Sequence, residues 1–103
     1  MTPDELKSLI RSVPDFPGPG ILFRDVTTLI GHGAGLSACV GHLADRAKAA
    51  GAQAIAGMEA RGFILAAPVA YSLGSGFVPV RKQGKLPAPT LIEAYVLEYG
   101  EAV

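Results

Sequence analysis

Four short stretches of the chain hold residue types that could do chemistry. The first is Gly57-Met58-Glu59-Ala60-Arg61-Gly62-Phe63. An apolar run ends there, an acid and an arginine follow, and a glycine opens the next apolar run. If the first run is a strand and the second a helix, the turn lies at the carboxyl end of a strand. That is where α/β sheets bind ligands. Backbone N–H groups at the helix start favour an anion. The Arg61 guanidinium is a fork suited to phosphate oxygens. The plainer alternative is a surface arginine paired with Glu59.

The second stretch is Arg81-Lys82-Gln83-Gly84-Lys85-Leu86-Pro87, just past another apolar run. Between Ala60 and Ile92 the sequence has no Asp or Glu, yet it carries Arg61, Arg81, Lys82 and Lys85. An acid-free stretch with these cations sets up a local positive field that would concentrate a polyanion, and Arg61 and Lys82, on neighbouring strand-end loops, are expected to converge on one cavity that holds a diphosphate. A solvated lysine-bearing loop is the alternative. The third stretch is a Pro/Gly loop running into Ile21-Leu22-Phe23-Arg24-Asp25. Phe23 could stack on a flat ring while neighbouring backbone groups read its edge; it could also be ordinary core. The fourth, Glu93 to Gly100, holds the carboxylates Glu93 and Glu98 and the tyrosines Tyr95 and Tyr99. A carboxylate in an apolar lid can act as a general acid or base near neutral pH, whereas a glutamate on a solvated hairpin would do nothing. His32, His42 and Cys39 have no partners that suggest a triad or a zinc site, and no role is assigned to them.

Composition narrows the field. The chain has 103 residues, half of them hydrophobic, which is enough for one small domain. Nine basic and nine acidic residues cancel. Neither a nucleic acid nor an anionic membrane is therefore an expected partner. The single cysteine excludes an internal disulfide. No secretory pattern opens the chain, and no apolar run approaches the roughly 20 residues that span a bilayer. A soluble, cytoplasmic protein is expected.

The elements that must position these residues follow from pattern. Thr2 and Glu5 are spaced as a capping box with Pro3 behind the cap, and Leu6, Leu9, Ile10 and Val13 then share a helical face until Pro14. A second helix is expected over 36–50, with Leu36, Val40, Leu43 and Ala47 inward and Gly51 closing it. Residues 54–58 read as a buried strand, 62–73 as a helix capped by Gly74, and 77–80 as another strand. This is the order of a right-handed βαβ unit with a parallel sheet. Residues 82–90 read as an irregular loop, and 95–99 have strand-like alternation.

Four motifs in register resemble the adenine phosphoribosyltransferase family: FPGPGILFRDVT at Phe16 to Thr27, GMEARGF at Gly57 to Phe63, FVPVRKQGKLP at Phe77 to Pro87, and LEYG at Leu97 to Gly100. The resemblance covers essentially the whole chain. It implies an α/β, type I phosphoribosyltransferase-like fold: a partial, mostly parallel sheet with flanking helices, in a single domain over residues 1–103. It implies transfer of a phosphoribosyl group from phosphoribosyl pyrophosphate to adenine, giving AMP and pyrophosphate, with magnesium accompanying the sugar donor, and a homodimer. By resemblance, Leu22, Phe23 and Arg24 border adenine. Glu59, Ala60 and Arg61 form a pyrophosphate loop with a non-proline cis bond before Ala60. Arg81, Lys82 and Lys85 are further pyrophosphate cations, and Glu98 with Tyr99 is the catalytic lid. No side chain is assigned to a metal.

The family continues with a strand, two adjacent acids and a Gly/Thr-rich loop that holds the ribose 5-phosphate. Here the only adjacent acids are Asp4-Glu5. The expectation is therefore that this chain alone turns over little or nothing. The alternative is a non-catalytic module that binds purine or pyrophosphate, or that dimerises. A nucleotide-responsive regulator is disfavoured by the neutral charge and the lack of a DNA-binding motif.

Overall fold

The structure, a computed structural model, describes the backbone of residues 1–92, 95–97 and 100–102, and side chains as far as Ile92. The chain divides into two compact units, Met1–Gly51 and Ala52–Val103.

In the first unit, helix α1 (Pro3–Ser8) begins with the expected capping box: the Thr2 hydroxyl accepts from the Glu5 amide and the Glu5 carboxylate accepts from the Thr2 amide. The helix ends five residues earlier than its apolar spacing predicts. Arg11–Pro14 is strand β1, paired antiparallel with β2 (Leu22–Asp25). Val13, expected on the helical face, faces Phe23 across the ladder. Cross-strand partners decide the matter. Arg11 lies opposite Asp25 and pairs with it, and Ser12 lies opposite Arg24, whose Nη1 donates to the serine hydroxyl at 2.6 Å. Such pairs stabilise a hairpin, and a helical reading of 9–13 cannot see them.

The connecting loop is irregular, as its prolines and glycines require. The Phe16–Pro17 bond is cis, Asp15 has φ of 56°, and the Asp15 carboxylate accepts from the Gly20 amide at 2.9 Å. A short helix α2 (Thr27–Ile30), absent from the sequence reading, buries Leu29. Helix α3 (Gly33–Ala49) starts three residues before the expected point. The His32 ring supplies the cap, with Nδ1 accepting from the Gly35 amide at 2.9 Å. Arg46 and Lys48 sit in the last turn, where the helix dipole favours cations. Gly51 follows at φ of 73°, the left-handed position that ends helices. Leu36, Val40 and Ala47 are half-buried as expected, but Leu43 is exposed and its neighbour Ala44 is buried instead.

The second unit is the expected βαβ arrangement. Strand β3 (Ala54–Met58) pairs parallel with β4 (Gly76–Val80), Met58 opposite Val80. Helix α4 (Arg61–Leu73) connects them and packs on both. Gly74, at φ of 67°, closes it as predicted. Pro68 lies within α4, removing one helical N–H. Val69 and Ala70 are the buried residues of the helix. The strands alternate: Ile55, Gly57, Phe77 and Pro79 are buried or half-buried, whereas Met58, Val78 and Val80 are exposed.

Gly57 is where strand and helix meet most closely. A Cβ there would lie 2.7 Å from the Ala66 Cβ, 2.9 Å from the Gly62 carbonyl oxygen and 3.1 Å from Phe77 Cε1. Farther on, β5 (Tyr95–Leu97) and β6 (Gly100–Ala102) form a second antiparallel pair, so the strand character expected at 95–99 holds at 95–97. Among the described strand pairs one is parallel and two are antiparallel. No helix among the described residues is long and apolar enough to cross a membrane.

Candidate functional site

The parallel register sets the site. Because Met58 lies opposite Val80, the loops that leave β3 and β4 emerge side by side at the carboxyl edge of the pair. The ladder runs one bond further, with the Glu59 amide donating to the Val80 carbonyl at 2.9 Å. The Glu59–Ala60 peptide bond is cis, as the resemblance implied. Arg61 then opens α4 and is exposed.

Glu59 organises the second loop. One oxygen, Oε1, accepts from the Lys82 amide and from Arg81 Nε, the latter at 3.3 Å. The Lys82 amide bond, helped by the Arg81 charge, holds the Glu59 carboxyl below its ordinary pKa. The partner of Glu59 is therefore Arg81, not the Arg61 considered from sequence. Arg81 also lies over the Phe63 ring, 5.9 Å from Cζ to centroid. Phe63 packs edge-to-face on Phe77 at 5.6 Å and 87°. Past Lys82 the chain turns at Gly84, at φ of 83°, and the Lys85 amide donates back to the Lys82 carbonyl at 3.2 Å.

A cavity of about 670 Å³ opens beside this loop. Glu59, Arg81 and Lys82 line it together with apolar groups that include Val78, Val80 and Leu86. Ala60, Arg61 and Lys85 are not on its wall. The expected convergence of Arg61 and Lys82 on one cavity is therefore not what the structure shows: Lys82 lines it, and Arg61, the first residue of α4, does not. Among the described residues, the Arg61, Lys82 and Lys85 side chains make no hydrogen bond or ion pair.

The residues expected near a purine lie in the first unit. Leu22 is 52% exposed, Phe23 is half-buried, and Arg24 is exposed and tied to Ser12. Phe23 meets Phe16 edge-to-face at 5.2 Å and 70°. Next to them stands Asp25, which sequence reasoning passed over and which is only 8% exposed. Its carboxylate accepts from the Thr27 hydroxyl at 2.6 Å, from the Thr27 amide at 2.9 Å and from Arg11. The Thr27 hydroxyl and amide bonds, with Arg11, lower its pKa from 3.8 to about 2. The Asp-x-Thr spacing, which favours a side-chain turn onto the backbone two residues on, was the available signal. Phe63 closes the GMEARGF motif, and neither its spacing nor the resemblance implies a role for it. Glu98 and Tyr99, the expected catalytic pair, lie outside the described residues.

A parallel strand pair crossed by a helix, with cations following both strand ends, is an α/β arrangement suited to holding an anion at the carboxyl edge of the pair. The chain resembles the adenine phosphoribosyltransferases over nearly its whole length, in sequence and in fold. It is 69% identical over 100 residues to the adenine phosphoribosyltransferase of Novosphingobium aromaticivorans, covering 97% of this chain and 56% of that protein. The adenine phosphoribosyltransferase structure from Thermoanaerobacter pseudethanolicus superposes with a TM-score of 0.85 at 46% identity, covering 98% of this chain and 59% of that one. The enzyme from Saccharomyces cerevisiae, complexed with an imino-altritol bisphosphate and adenine, superposes with a TM-score of 0.88 at 35% identity, covering 96% and 58%. No family model matches the chain. The chain spans little more than half the length of these relatives.

Proposed function

We propose that the protein acts in purine salvage as an adenine phosphoribosyltransferase, converting adenine and phosphoribosyl pyrophosphate to AMP and pyrophosphate. The observation that carries this reading is the Glu59–Arg81–Lys82 cluster at the carboxyl edge of a parallel strand pair. Arg81 uses only Nε on Glu59, which leaves both terminal nitrogens for an anion. Lys82 lines the same cavity. Arg61 adds its charge from the helix start, where backbone N–H groups also favour a phosphate, and Lys85 follows on the same loop.

As the anomeric carbon gains oxocarbenium character, negative charge builds on the departing diphosphate. Fixed cations stabilise that charge more than they stabilise the ground state. Magnesium in this reading enters on the diphosphate. Among the described residues Glu59 is the only acid on the cavity wall, and its Oε1 is taken up by Arg81 and Lys82. Such a donor set suits an ion held by phosphate oxygens rather than by a cage of side chains. Leu22, Phe23 and Arg24 border adenine in this reading. Glu98 and Tyr99 close over it and handle the ring proton. These roles, like a homodimer and a cytoplasmic address, rest on the family resemblance.

Calorimetric titration of inorganic pyrophosphate into the purified protein tests the reading. Replacing Arg81 by Ala removes charge-assisted bonds worth about 1.5–3 kcal/mol each, a roughly 10- to 100-fold loss of affinity per bond. Pyrophosphate binding that is absent, or indifferent to Arg81→Ala, overturns it.

A further inference from the structure

We propose that Phe63 is a positioning residue: its ring, with Glu59, braces the Arg81 guanidinium so that the two terminal nitrogens face the incoming diphosphate. The inference rests on the pyrophosphate reading and adds a residue that reading does not contain.

Three elements meet at this brace. Glu59 comes from the end of β3, Phe63 from the first turn of α4, and Arg81 from the end of β4. Arginine has a long side chain with many rotamers, and one hydrogen bond through Nε leaves the guanidinium plane free to swing about that bond. A ring face 5.9 Å from Cζ supplies the second point. It attracts the cation through its quadrupole, and it takes no hydrogen-bond donor from the arginine. Glu59 and Phe63 together therefore fix the cation without consuming Nη1 or Nη2. The ring is itself held, because Phe77 of β4 packs against it edge-to-face at 87°. Phe77 and Arg81 lie on the same strand and its extension, so one strand presents both the prop and the cation. Phe63 could instead be only a filler between α4 and β4. The two readings differ in what an aliphatic replacement does.

Phe63→Leu keeps apolar bulk and removes the π face, whereas Phe63→Tyr keeps the face. Pyrophosphate affinity is expected to fall about two- to fivefold in Phe63→Leu, the range of an exposed cation–π contact, and to stay within about twofold of the parent in Phe63→Tyr. A mere filler would leave both variants at the parent affinity, and that result overturns the brace. The second readout needs no ligand. The Arg81 Nε–H proton resonance, assigned by its loss in Arg81→Lys, is expected to move in Phe63→Leu, where the ring current disappears, and to hold in Phe63→Tyr. An Nε–H resonance unmoved by Phe63→Leu overturns the brace whatever pyrophosphate does. Arg81→Ala separates the two claims. If it leaves pyrophosphate binding intact, the pyrophosphate reading fails and takes the brace's purpose with it. If it weakens binding while Phe63→Leu stays at the parent affinity, only the brace fails. Should Phe63→Leu not fold, Phe63→Met fills similar space and is read by the same criteria.

Discussion

Asp25 shows how much one carboxylate can hold in place. It joins β1 to β2 through Arg11 and starts α2 by accepting from Thr27 twice. Its folded pKa of about 2 lies below the 3.8 of the free group. As pH falls, the unfolded chain therefore takes up the proton first. The stabilisation is complete above about pH 4 and is lost as pH falls towards 2. Urea unfolding followed from pH 6 to about 2 should show a stability loss in the parent that Asp25→Asn partly lacks. Equal pH dependence in both proteins would remove Asp25 from this account. Neither the Arg11–Asp25 pair nor the Glu59–Arg81 pair was legible in the sequence. Their members stand 14 and 22 positions apart, and only strand pairing brings them together. What was legible is the acid-free stretch that holds Arg61, Arg81, Lys82 and Lys85; of these, Arg81 and Lys82 line the cavity.

At the scale of elements, β3, α4 and β4 were readable because their signals are local. Short apolar runs bounded by glycine and charge mark the strands, although each leaves one face exposed rather than buried, and Gly74 marks the helix end. The β1–β2 hairpin was not readable. Leu6, Leu9, Ile10 and Val13 satisfy a helical period, and propensity yields to strand pairing when cross-strand partners are better. The contact between β3 and α4 gives this scale its prediction. Gly57→Ala should destabilise the protein by about 1–3 kcal/mol, the usual cost of overpacking, because Ala66, the Gly62 backbone and Phe77 leave no room for a methyl group. Chemical denaturation reads this directly. A loss below about 0.5 kcal/mol, within the range of neutral surface changes, would mean that α4 moves aside freely.

For the whole molecule, net charge is a poor guide to what it attracts. The formal charge is zero, yet Arg61, Arg81, Lys82 and Lys85 share a stretch that holds no acid between residues 60 and 92. A field of that kind is local and is screened by salt, since the Debye length shrinks from about 10 Å at 0.1 M to about 3 Å at 1 M. Pyrophosphate affinity should fall roughly tenfold as KCl rises from about 0.05 to 0.5 M. An affinity that ignores salt would mean that the cations do not face the bound anion.

The seam at Gly57 reaches beyond stability. With no side chain between β3 and the start of α4, the helix rests on the strand almost backbone to backbone. So close a seat restrains rocking of the helix. If the strand-end loops take a phosphate as proposed, the amides in the first turn of α4 need little further ordering to receive it. Glycine at this position would then lend the rigidity of a sheet to the capture of an anion.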